Sequence, residues 1–130
     1  MRVDVWSDVM CPWCAIGRAR LQVAIDGFGA THDEEVEVRW RSFELDVNAP
    51  RQKQGDYVML LAKKYGRSRD EAQMMVDQMA ARGAEDGVAF DFANIQPGHT
   101  FDAHRLLHLA LEEGLQDALK ARFFQAYFSE

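Results

Sequence analysis

Cys11 and Cys14 are the only cysteines in the chain, and they stand three residues apart in VMCPWCAIG. The thiolate is the reactive form of cysteine, and two thiols one helical turn apart can make and break a disulfide within one local segment. Pro12 suits the first position of a helix, where its missing N–H leaves no bond unmade. Cys11 is then the N-cap and Cys14 the third helical residue. The Cys11 sulfur points at the unsatisfied N–H groups of the first turn, on the positive end of the helix dipole. This placement predicts a lowered Cys11 pKa, with Cys11 attacking and a more buried Cys14 resolving the mixed disulfide. Trp13, between them, falls on the exposed first turn, either to touch substrate or to cover the helix end.

Other uses of the pair fit less well. A bridge across two intervening residues removes little unfolded-chain entropy, so it is a poor staple. A zinc site would need further ligands. The chain offers His104 and His108, an H-x3-H pair, but they lie far beyond the roughly 12–15 residues that separate ligand pairs in a zinc finger. No metal is therefore expected.

Bulk properties narrow the setting. The 130 residues are 48% hydrophobic, which fits one domain, or one small domain plus an insertion, with a core that needs no staples. Lys and Arg number 15 against 21 Asp and Glu, and the net charge of -6 argues against a nucleic-acid surface or an anionic membrane. No apolar run approaches the roughly 20 residues of a membrane span. The first residues lack a signal-peptide pattern, so a cytoplasmic protein is expected, and disulfides there are more often transient than structural.

The elements that must position the cysteines can be read from periodicity. Residues 2–6 alternate Val3 and Val5 with charge, as a strand does. From Pro12 to about Phe28 the apolar spacing is helical, and Gly27 and Gly29 end it. Residues 36–45 alternate Val36, Val38 and Trp40. The phase slips at Ser42, which predicts either a bulge or the end of the strand. Strand, helix and strand over this length suit a parallel pair. After Pro50 the pattern is helical: 55–65 ending at Gly66, then a helix with Ser68 and Glu71 as a capping box. GVAFDFANIQPG reads as a loop. Thr100 caps a helix to about Glu113, and an amphipathic segment follows. Met74, Met75 and Met79 form a stripe read as core filling rather than a peptide-binding surface. Glu44 reads as an exposed edge charge, with a buried acid assisting Cys14 as the alternative. His104, among apolar residues, reads by default as a half-buried, satisfied histidine.

Three motifs in order, SDVMCPWCAIG, VRWRSFELDVNAP and GHTFDAHRLLHLA, resemble the DsbA-like thioredoxin-fold proteins of the FrnE type. These are related to the 2-hydroxychromene-2-carboxylate isomerases and the kappa-class glutathione transferases. The resemblance covers essentially the whole chain. It implies an α/β fold: a thioredoxin-like βαβ half at 1–49, then an inserted all-helical domain at 50–130. It also implies thiol–disulfide oxidoreductase activity with Cys11 and Cys14 as the redox pair, Pro12 and Trp13 within the motif, and His99, Thr100 and His104 lining the site. The isomerase branch usually has Ser in place of Cys11 and binds glutathione there, so a complete Cys-Pro-Trp-Cys favours the oxidoreductase. A glutathione-dependent isomerase or transferase is the alternative.

Two departures from that family carry expectations. His99 stands where relatives usually have Asn, which would place a titratable group beside the cysteines. The second half of a thioredoxin fold, with its cis-proline loop, is not evident, since the three prolines are Pro12, Pro50 and Pro97. A truncated chain is the inference, which leaves an inactive oligomerising fragment as a third reading. Open strand edges and the aromatic end Phe123, Phe124, Tyr127 and Phe128 then predict a homo-oligomer. The expected substrates are protein or small-molecule thiols and disulfides. No cofactor is expected, and glutathione is the one co-substrate the resemblance admits.

Overall fold

The structure is a computed structural model and describes all residues, Met1–Glu130. Strand β1 (Arg2–Ser7) runs into helix α1 (Pro12–Gly29), which returns the chain to β2 (Glu37–Ser42). The strands pair in parallel, with Val3 opposite Val38 and Val5 opposite Trp40. The phase slip at Ser42 marks the end of β2, and no bulge forms. Four helices follow: α2 (Tyr57–Tyr65), α3 (Arg69–Glu85), α4 (Phe101–Glu112) and α5 (Gln116–Ser129). The fold is thus α/β, a two-stranded parallel βαβ unit followed by a helical region.

Local chemistry sets the helix ends. Gly66 closes α2 in the left-handed conformation at φ 61°, where a side chain would be strained. Ser68 and Glu71 form the reciprocal capping box, Ser68 Oγ accepting the Glu71 N–H at 3.1 Å and Glu71 accepting the Ser68 N–H at 3.0 Å. Thr100 precedes α4 as expected but makes no capping bond. Thr100 is buried beside α4, and its influence holds the Asp8 pKa down.

The core joins the two parts of the chain. Ala15 of α1 shares one cluster with Val58 and Leu61 of α2, Val76 and Met79 of α3, Phe92, and Phe124 and Phe128 of α5. Within the aromatic end of α5, Phe124 and Phe128 are buried in the chain's own core, while Phe123 and Tyr127 stay half-buried. Phe128 is 1% exposed, with Phe90 edge-on to its ring at 4.9 Å and Tyr127 at 4.7 Å. Phe90 and Phe92 come from the loop after α3, a stretch whose periodicity gave no sign that it belonged to the core. The outer edge of β2 is also engaged: the Gln116 amide accepts the Trp40 N–H at 3.0 Å and donates to the Trp40 carbonyl at 2.9 Å. No helix is long and apolar enough to cross a membrane.

Gly83 sits where α3 meets the aromatic loop. A Cβ there would overlap the Phe90 ring and lie 2.9 Å from the Val88 carbonyl oxygen. That oxygen is backbone and cannot move aside cheaply. Gly83→Ala should therefore destabilise the fold by about 1–3 kcal/mol, despite the better helix propensity of alanine. Urea unfolding checks this, and an unchanged midpoint would refute it.

Candidate active site

The cysteines lie where β1 gives way to α1. Ser7 and Asp8 end the strand and turn inward, 3% and 1% exposed. Cys11 is extended, with φ -94° and ψ 114°, and caps α1. Its sulfur accepts the Cys14 N–H at 3.4 Å. Pro12 is the first helical residue and is buried. Trp13 is 57% exposed and lines the groove described below, which favours its substrate-facing reading.

The pair is less asymmetric than the N-cap alone predicts. Both cysteines are free thiols and both are half-buried. They titrate together, because each sulfur acts on the other's charge and the neighbouring pair holds one proton for two sites. Cys14 is drawn down to about 6, first by the Cys11 thiol and further by the Asp8 N–H and the Lys120 charge, against the opposing cost of burial. Cys11 is pushed up, because it is the sulfur that keeps the shared proton. The pair as a whole carries one thiolate near neutrality, and the lowered pKa expected of Cys11 becomes a property that the two sulfurs share.

Access separates the two sulfurs. Cys11 opens onto a groove of about 880 Å³ between the start of α1 and helices α2 and α3. Tyr57, Leu61, Met75, Met79 and Tyr127 give it an apolar wall, and Lys63 and Lys64 lie on it as well. Cys14 is not on this groove; it packs on the core cluster. The methionine stripe divides here. Met79 is buried and Met75 half-buried on the groove, while Met74 is 61% exposed.

Behind the cysteines, Asp8 ties three segments together. Its carboxylate accepts the Val9 N–H at 2.8 Å, the Leu45 N–H at 2.9 Å and the His104 Nε2 proton at 3.0 Å. Burial alone would raise the Asp8 pKa. The bonds from His104, Leu45, Thr100 and Val9 overcome that and hold it below the usual carboxylate range. Sequence reasoning named His104 without a partner and passed over Asp8. The signal it could have used is a lone acid three residues before a CxxC, at the end of a strand whose next turn must be buried.

His99 does not join this cluster. It is exposed, its Nε2 bonds the Val47 carbonyl at 3.2 Å and its Nδ1 accepts the Phe101 N–H at 3.3 Å. It does not line the groove either. The helix that follows it instead brings Thr100 and His104 to Asp8. His108, the other half of the H-x3-H pair, is occupied on Ser42 at 2.8 Å, and no group of metal-ligating side chains forms anywhere. Glu44 is half-buried rather than an exposed edge charge, with its Oε1 unpartnered.

A parallel βαβ unit whose helix begins on a Cys-Pro-Trp-Cys turn, with a helical region behind it, defines a thioredoxin-like dithiol domain. The chain belongs to the DsbA-like thioredoxin family, whose domain it matches over residues 2–130. It is similar to the uncharacterized Bacillus subtilis protein YwbO, at 32% identity over 131 residues, covering 100% of this chain and 58% of that protein. It also superposes on the crystal structure of a probable DsbA oxidoreductase from Streptomyces coelicolor with a TM-score of 0.91 and 42% identity, covering 100% of this chain and 55% of that one. The chain thus spans little more than half the length of these relatives.

Proposed function

We infer that the chain carries the redox centre of a thiol–disulfide oxidoreductase, with Cys11 as the attacking sulfur and Cys14 as the resolving one. The observation that carries this reading is the position of Cys11: it caps α1 and is the one sulfur of the pair that opens onto the groove. Cys14 ionises more readily, but it packs on the core, and a substrate sulfur reaches Cys11 first.

The exchange is symmetrical in its chemistry. In the reduced protein, one proton passes between neighbouring sulfurs, so charge at Cys14 is available to Cys11 when a disulfide arrives. Cys11 Sγ bonds to a substrate sulfur, and the other substrate sulfur leaves with the electron pair. Cys14 Sγ then bonds to Cys11, releases the first substrate sulfur and completes a two-electron oxidation of the protein. Thiol substrates run the same steps backward. The apolar groove beside Cys11 suits substrates with apolar groups flanking the sulfur, whether peptides or small molecules.

Equilibration with mixtures of reduced and oxidised glutathione, read by intact mass, tests the proposal. The expected result is a reversible loss of two hydrogens from the chain, with a single midpoint. A pair that stays reduced even in excess oxidised glutathione, or that takes up only stable glutathione adducts, would overturn it.

A further inference from the structure

Helix α5 sends one row of side chains inward at four-residue spacing: Gln116, Lys120, Phe124 and Phe128. The two phenylalanines fill the core, and Gln116 satisfies its amide on Trp40 and Leu107. Lys120 is 0% exposed and its Nζ has no hydrogen-bond partner. The Trp40 and Phe124 rings flank it, with centroids at 5.6 and 5.1 Å. An ammonium brings three donors, and burying it unpaired is costly. Two ring faces return only part of that cost. A position needing volume alone would hold an apolar side chain, so this amine calls for an anion.

The candidates come from the start of the chain. Cys14 packs on the cluster that contains Phe124, the ring under Lys120. The charges that act on Lys120 are those of Cys14 first, then Asp8 and Cys11. The flanking side chains from β2 and α5 are the uncharged Trp40 and Phe124, and His104 of α4 is bonded to Asp8. The Asp8 carboxylate is already held by His104 and two backbone N–H groups, and it stays ionised. The anion that comes and goes is the thiolate. Burial lowers the Lys120 pKa to about 8, within reach of a change in that neighbour.

We propose that Lys120 is a positioning residue for the redox pair: its buried amine is protonated when a thiolate forms at Cys14 and deprotonates when the Cys11–Cys14 bond closes. The proposal rests on the dithiol reading above. As the disulfide opens, a substrate thiolate bonds to Cys11 Sγ, the Cys11–Cys14 bond breaks, and its electron pair goes to Cys14 Sγ. Lys120 takes a proton from solvent and balances that charge. As the disulfide closes, Cys14 Sγ bonds to Cys11, the substrate sulfur leaves with the electron pair, and Lys120 returns its proton. The cation therefore favours the open, reduced pair.

The test uses the whole chain with Lys120→Met, a flexible apolar side chain of similar length. Thiolate absorbance across pH and the equilibrium with glutathione are both measured. The first thiolate should form about one pH unit higher, and the equilibrium should shift about tenfold toward the disulfide. A folded variant with the parent titration and equilibrium would overturn the proposal. A second measurement needs no substitution: the 13Cε resonances of Lys53, Lys63, Lys64 and Lys120 are followed with pH in reduced and oxidised protein. One resonance should titrate abnormally low, and at higher pH in the reduced form than in the oxidised. Equal midpoints in the two forms would also overturn the proposal. If the parent chain forms no reversible disulfide, the dithiol reading falls and takes this one with it. If the disulfide forms but Lys120 does not respond, only this inference falls.

Discussion

Cys11→Ser should reduce disulfide exchange to the uncatalysed rate, while Cys14→Ser should stop it one step later, with substrate held on Cys11. The difference follows from access. Cys11 opens onto the groove and Cys14 does not, so a substrate disulfide meets only one of them. Without Cys14 nothing inside the protein can displace the bound sulfur, and the mixed disulfide accumulates. Mass spectrometry after a pulse of oxidised glutathione reads both results: an adduct on Cys14→Ser and none on Cys11→Ser. The opposite labelling pattern would make Cys14 the attacking sulfur, in keeping with its lower pKa. Glutathione-dependent turnover of an aromatic substrate that survives in Cys11→Ser would point to the isomerase chemistry of the related branch.

Asp8→Ala should lower stability by about 3–5 kcal/mol, the usual cost of removing one member of a buried, hydrogen-bonded pair. The substitution strands the Val9 and Leu45 N–H groups and the His104 Nε2 proton at once, in a site 1% exposed. The effect should depend on pH in one direction. The Asp8 pKa is lowered in the folded chain. Its contribution is therefore complete above the unfolded value near about 3.9 and is lost as pH falls through the folded value. Urea unfolding at neutral pH should separate parent and variant widely, and the gap should narrow as the medium becomes strongly acid. A gap that persists unchanged in acid would show that shape, rather than the carboxylate, is what Asp8 supplies. Because Asp8 also fixes the turn leading to Cys11, the variant should exchange disulfides more slowly even where it remains folded.

Much of the site's covalent chemistry was legible from spacing. Pro12 after Cys11 marks the helix start, and the Cys14 N–H does lie on the Cys11 sulfur. The capping box at Ser68 and the left-handed Gly66 were equally plain. The charge balance of the pair was not. A helix start acts on Cys11 alone, whereas the charge of Lys120, more than a hundred residues away, acts on Cys14. His99 misled for a related reason. Its neighbour in sequence faces Asp8, but its own ring is turned to Val47 and Phe101.

What the sequence determined by itself is whatever closes within about one helical turn: the N-cap, the capping box, the glycine stop, and the alternation that makes two strands. The helix ends depend on backbone N–H and C=O groups finding partners a few residues away, although Thr100 precedes α4 without making its cap. Only the tertiary structure decided which faces meet. The row Gln116, Lys120, Phe124 and Phe128 shows the limit. Its four-residue spacing announces an inward face, yet two of its members are polar, and sequence alone reads such a row as a solvated edge running into a core. Packing of α5 against β2, α4 and the core cluster buries all four. That burial turns an ordinary surface lysine into an unpaired interior amine. Asp8 and His104 likewise become partners only when α4 is laid against the end of β1. Periodicity fixes which side of an element is buried, but the partner it meets depends on how all the elements pack together, and so on contacts no local stretch contains.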